Sequence, residues 1–308
     1  MRDGLFYQFG LLLPEPELSY DNSLHREEFR VQINDLLYPP RKGLEPNQLL
    51  VNDTAERMVL LGLKGIYAKN PANNSEGAII QQEEGIEQIC AEADLTTWDY
   101  ISFTILVLSS YIRRDASMLF CLQNLGEMLK QLTAVFPKLI SSVLHFYTLM
   151  ELVHILRGLL REGFSIRNLR SILETLVDIK VRRELPAEGE LSHLERLSLL
   201  RQAHKHYLSH KHVAYKTTIV CYLVDPSIEA KLRKTALSEE EQEKLLEAIV
   251  RTIGLQIGST NPVIMVSTDV RSTFQKLLEK AFPDIRVMGY GELFLDYDVQ
   301  MIDKITWT

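Results

Sequence analysis

The sequence predicts an α+β protein of several subdomains: small mixed α/β parts, an all-helical middle part and a C-terminal α/β part. Three observations carry this. Residues 148–178 read as two amphipathic helices in tandem, residues 217–289 alternate strand-like with helix-like runs, and residues 29–33 alternate apolar with polar side chains. A period near 3.6 marks a helix, a period of 2 a half-buried strand, and strands interleaved with helices an α/β arrangement. At 308 residues the chain can hold two or three domains and a large core.

The first twenty residues are rich in aromatics and proline: Phe6, Tyr7, Phe9, Pro14, Pro16 and Tyr20. Phe29, Val31 and Ile33 then share one face of a half-buried strand, with Arg30 and Gln32 on the other. Pro39-Pro40-Arg41-Lys42-Gly43 breaks the chain. Residues 49–99 read as less regular, with turn formers at Asn70-Pro71 and Asn73-Asn74-Ser75. One helix is expected from Trp98 to about Phe120. Another is expected over 121–143, from the spacing of Leu122, Leu125, Leu129 and Leu132.

In 148–178 the apolar positions Leu149, Leu152, Val153, Leu156 and Leu160 fall on one helix face. Gly163 can take the positive φ that ends a helix, and the Ser165 hydroxyl is a candidate cap for the amide of residue 167 or 168. The period resumes at Ile166, Leu169, Ile172, Leu173, Leu176 and Val177, which predicts a helical hairpin with a turn of about three residues. Its outer side carries Arg167, Asn168, Arg170, Glu174 and Asp178.

Residues 181–190 read as a polar linker, followed by a helix over 191–207. The run 217–224 is a buried strand stopped by Asp225-Pro226. Ser238 followed by three glutamates marks a helix start, since carboxylates favour the positive end of the dipole. Gly254 is its expected end. NPVIMVS and IRVMG are further strands, with VRSTFQKLLEKAF a helix between them.

Composition narrows the function. The net charge is −7, and an acidic surface repels phosphate backbones. The longest apolar run, residues 101–112, is shorter than the about 20 residues that span a bilayer. No signal-peptide pattern opens the chain. Cys90, Cys121 and Cys221 form no metal-type pair and read as buried small hydrophobes of a reducing compartment. His206 and His210 stand four apart within HKHYLSHKH, but no Glu completes a metal-binding pattern. No nucleotide or nucleophile motif is present. A protein that is not an enzyme and needs no cofactor or metal is expected. The hairpin leaves one alternative open: a DNA-binding helix-turn-helix using Arg157, Arg161, Arg167 and Arg170, against which stand Glu174 and Asp178 on the reading face.

LRGLLREGFSIRNLRSILETLVD resembles a dense pattern of the bacterial type III secretion export gate, the FlhA/SctV/LcrD family. EFRVQINDLL is similar to a strand of that family's first cytoplasmic subdomain. VIMVSTDVRSTFQKLLEKAFPDIRVMGYGEL is similar to its C-terminal signature. The likeness runs over about residues 14–305 and is nearer the virulence branch. It implies four subdomains: 1–48 with 100–119 (split), 49–99 (inserted), 120–190 (helical) and 191–308 (α/β). It also implies the soluble cytoplasmic part of an inner-membrane protein whose membrane half lies outside this sequence.

In such proteins nine copies form a ring that receives chaperone–cargo complexes and a gatekeeper, and that meets the ATPase stalk and other export-apparatus proteins. On that basis Arg157, Arg161, Arg167, Arg170 and Glu174 are expected at the contact between copies. Asn70 and Asn73 match the positions of an Asp and a Phe in the flagellar docking loop. Together with Trp98 and Tyr100 they are expected to receive cargo.

Overall fold

The computed structural model describes residues 2–72, 75–183, 191–215, 217–253, 263–279, 281–282 and 285–307. They form an α+β arrangement of two compact units: Leu13–Arg114, and Arg2–Leu12 with Asp115 onward. Gly254 and residues 184–190 of the expected linker lie outside the described residues.

The first unit is built on an antiparallel sheet in the order Gly65–Lys69, Glu76–Gln81, Gln48–Val51, Thr97–Trp98. Residues 49–99 are therefore more regular than the sequence implies. Leu49, Val51, Ala78 and Ile80 turn one face inward onto Met58, Ile86 and Cys90. Gly65 has no room for a side chain, since a Cβ there would sit 3.0 Å from that of Met58. The expected strand over 29–33 is instead two pieces. Gln32–Ile33 folds back on Leu36–Leu37 through Asn34 at φ 52°, while Glu28–Phe29 pairs with Arg41–Lys42. Val31 and Ile33 are still buried, so the alternation was real although the continuous ladder was not. The helix expected from Trp98 runs Tyr100–Arg114. Trp98 is held back by pairing with Leu50, and the Asp99 carboxylate caps the helix by accepting from the Ser102 amide at 2.7 Å.

In the second unit the expected 121–143 helix is two, Leu122–Val135 and Pro137–Phe146. Proline lacks an amide hydrogen and suits the first position of a new helix rather than the interior of one. Helices Leu149–Arg161 and Leu169–Arg183 follow. Helices His193–Ala203 and Lys205–Lys211, broken at His204, replace the single one expected over 191–207. No single helix among the described residues is long and apolar enough to cross a membrane.

The C-terminal sheet is parallel, in the order Arg286–Gly289, Val263–Val266, Thr218–Val224, Asp298–Ile305; Val213–Tyr215 adds an antiparallel piece. Helices Pro226–Lys234, Glu239–Ile253 and Arg271–Glu279 cover it around Phe274, Ile249, Ile264 and Val287. Ser238 caps as expected. Its hydroxyl accepts from the Glu241 amide at 3.3 Å, and Glu241 accepts from the Ser238 amide at 3.0 Å.

A buried ionic cluster ties the helical layer to this sheet. Arg201 donates to both carboxylate oxygens of Glu292 at 2.7 Å, and Arg271 donates to Glu162 at 2.7 Å. Arg271 also lies 3.3 Å from Glu292, and Arg201 lies 3.5 Å from Glu162. Arg201, Arg271 and Glu292 are all buried.

Candidate protein–protein interface

The helical hairpin is fixed at both ends of its first helix. The Thr148 hydroxyl accepts from the Glu151 amide at 3.2 Å, and Glu151 accepts from the Thr148 amide at 2.7 Å, closing a capping box. Leu152, Val153, Ile155, Leu156, Leu159 and Leu160 are buried along Leu149–Arg161. Gly163 ends this helix at φ 68°. Its amide donates to Leu160 O at 2.9 Å and the Phe164 amide to Leu159 O at 2.9 Å, a Schellman end.

The second helix starts later than the sequence implies, at Leu169. The Ser165 hydroxyl does accept from the Arg167 amide at 3.3 Å, but the helix is capped by Asn168, which accepts from the Ser171 amide at 3.3 Å. The reason lies far off in sequence. The Ile166 amide donates to Phe9 O at 2.9 Å, which pins 164–166 as buried, non-helical chain against the N-terminal helix Arg2–Phe9. Gly10, at φ 78°, allows this approach, since a Cβ there would lie 2.3 Å from the Arg167 nitrogen.

This arrangement sets the arginines. Arg161, Arg167 and Arg170 are exposed. The Arg167 guanidinium lies over the Tyr7 ring at 5.4 Å, and that of Arg170 over Phe136 at 4.9 Å. Arg170 also pairs with exposed Glu174 at 2.9 Å. Arg157 is partly buried and donates to Phe120 O at 2.8 Å, so the fold itself uses this side chain. Arg167 and Arg170 line a groove of about 280 Å³ with Phe6, Leu12, Met128 and Leu132. Sequence reading missed this groove, because its walls come from the N-terminal segment and from a helix over a hundred residues later. The glycine between Phe9 and Leu11 was the one local sign of a close approach.

In the first unit, Asn70 is buried and its side chain is used locally, accepting from the Ala72 amide at 2.8 Å. Asn73 lies outside the described residues. Trp98 is half-buried, and Tyr100 is 43% exposed on the first helical turn. Ile101 and Ile105, one turn apart on that helix, are also exposed and were not singled out by sequence reading. Hydrogen bonds from Ser102 hold the Asp99 carboxyl below its ordinary range.

The other candidates have structural uses. His206 packs on Phe294 at 4.6 Å, and His210 Nδ1 is 3.4 Å from the Tyr297 hydroxyl. Among the described residues no three His, Cys, Asp or Glu side chains are placed to hold a metal ion. Cys90 and Cys221 are buried as expected. Cys121 is exposed, because it stands at the start of the Leu122–Val135 helix.

Fold and surface together define an α+β protein with exposed charged and apolar patches. The chain belongs to the FHIPEP family, whose model matches residues 1–298. It is 26% identical to the low calcium response locus protein D of Yersinia pestis, covering 99% of this chain and 44% of that protein. It is likewise 26% identical to the invasion protein InvA of Salmonella typhimurium, with the same coverage. The chain thus spans less than half the length of these curated relatives. Among solved structures, the CdsV protein of Chlamydia pneumoniae matches with a TM-score of 0.87 at 26% identity, over 99% of this chain and 88% of that one. The nonameric SctV-C of EPEC has the same fold, with a TM-score of 0.79 at 17% identity, over 99% and 91%.

Proposed function

We propose that this chain is the cytoplasmic, ring-forming part of a type III secretion export gate, working at the inner membrane. Family membership over nearly the whole chain is the observation that carries this reading. Relatives named for low calcium response and invasion, and nonameric structures of the same fold, favour a virulence system and a ring. The four-part division is part of the proposal: 1–48 with 100–119, 49–99, 120–190 and 191–308. The function is recognition rather than catalysis. Cargo with its chaperone docks near Asn70, Asn73, Trp98 and Tyr100. A gatekeeper and an ATPase stalk bind as further partners. CdsV has been solved in complex with CdsO, which favours a stable protein partner here as well.

In a ring each contact joins two different faces, head to tail. Copies of net charge −7 repel one another, so local opposite charges are needed at the contact. Exposed Arg161, Arg167 and Arg170 supply the basic side, and Glu174 lies beside them. Each exposed pair contributes about 0.2–1 kcal/mol, and ring closure repeats it around the circumference. Arg167→Glu with Arg170→Glu is expected to abolish rings, seen by electron microscopy and sedimentation, while circular dichroism stays unchanged. Intact rings at the wild-type concentration would limit these arginines to a role in the fold. The DNA-binding alternative gains nothing from the comparisons, and Arg157 is already tied to the Phe120 carbonyl within the chain.

A further inference from the structure

The strand Asp298–Ile305 lies at the edge of the C-terminal sheet and pairs only with Thr218–Val224 among the described residues. An edge strand presents a row of free main-chain donors and acceptors, and proteins usually blunt such edges by shortness, lysine, proline or a bulge. This one is eight residues long and has no proline. Its bulge falls between the pairs Cys221–Met301 and Leu223–Lys304, so residues 298–301 keep a regular register.

The strand's side chains are also open. All but Ile305 are exposed, including Val299 at 43%, Met301 at 55% and Ile302 at 41%. Val299 is in register with Ile219 and Met301 with Cys221, both fully buried. A buried apolar face of the sheet therefore continues outward to an edge that no other strand among the described residues covers. The charge there has one sign. Asp296, Asp298 and Asp303 are exposed, and the strand's lysine, Lys304, is engaged by Asp225 at 2.6 Å.

We infer that this edge captures an extended segment of a partner protein by strand addition, and that the segment alternates apolar with basic residues. Main-chain bonds supply the affinity in this mode, and alternate side chains the selectivity. The apolar residues would cover Val299 and Met301, and the basic ones would meet the three aspartates. This surface shares no residue with the arginine face of the hairpin or with the proposed cargo site.

The test uses the whole chain and a blocked octapeptide of alternating lysine and valine. Two controls are a glutamate–valine octapeptide and the lysine–valine peptide methylated at every backbone nitrogen. Calorimetry should detect the lysine–valine peptide, and amide exchange should slow across 298–304. Both controls, and the folded double variant Met301→Lys with Asp303→Lys, should lose at least about tenfold in affinity. Equal binding of the methylated peptide, protection elsewhere in the chain, or an unaffected double variant would overturn the inference. So would concentration-dependent protection of 298–304 without peptide, which would make a second copy the occupant. None of these readouts depends on ring assembly or secretion.

Discussion

Glu292 is the residue whose loss the fold should feel most. It is fully buried and accepts two 2.7 Å bonds from Arg201, a 3.2 Å bond from the Gly289 amide and a 3.3 Å contact from Arg271. Glu292→Gln keeps the shape and removes the charge. Two buried arginines then share Glu162 alone, and Arg201 reaches it only at 3.5 Å. Breaking a buried ion pair from one side costs about 3–5 kcal/mol, because the surviving charge stays desolvated. At about 2–4 °C per kcal/mol for a unit of this size, the melting temperature should fall by roughly 6–20 °C. Urea denaturation and calorimetric scans would measure both quantities. Adding Arg201→Met removes the stranded charge, so the double variant should be more stable than the sum of the two single changes. A loss below about 1 kcal/mol, or strictly additive changes, would refute the account.

Two further outcomes are expected. Gly10→Ala places a methyl against the Arg167 backbone at a φ that costs a non-glycine residue about 1–2 kcal/mol, so the Ile166 amide bonded to Phe9 should exchange faster; unchanged exchange there would contradict the packing described. Trp98→Ala, checked for folding by circular dichroism, should weaken calorimetric binding of a cognate chaperone–cargo complex, and unchanged affinity would remove this site from the cargo surface.

What could be read from the sequence was local. The helix Leu149–Arg161 was legible because its stripe and the glycine behind it lie within sixteen residues. The Ser238 cap and the strand at 218–224 were legible for the same reason. What was not legible depended on distant partners. The late start of Leu169–Arg183 follows from the Phe9 carbonyl, and nothing near Ser165 announces it. The alternation at 29–33 fits two short ribbons as well as one strand, and only Asn34 at positive φ decides between them. The sheet in 48–98 has strands of two to six residues among many turn formers, too short for periodicity to show. The four arginines expected at the contact between copies came from the family resemblance, and only the structure separates Arg157, tied to Phe120, from the three on the surface.

The turn between the hairpin helices has a practical consequence for anyone altering this protein. Loops are the usual places to insert a tag or a fluorophore, because insertions there disturb little. Residues 163–166 have no regular secondary structure, yet all four are buried, and Phe164 and Ile166 are as enclosed as any helical leucine. An alignment-free choice of splice point would select this turn first and lose the protein. The exposed stretch 14–20, which also has no helix or strand, should accept the same insertion with little loss of stability.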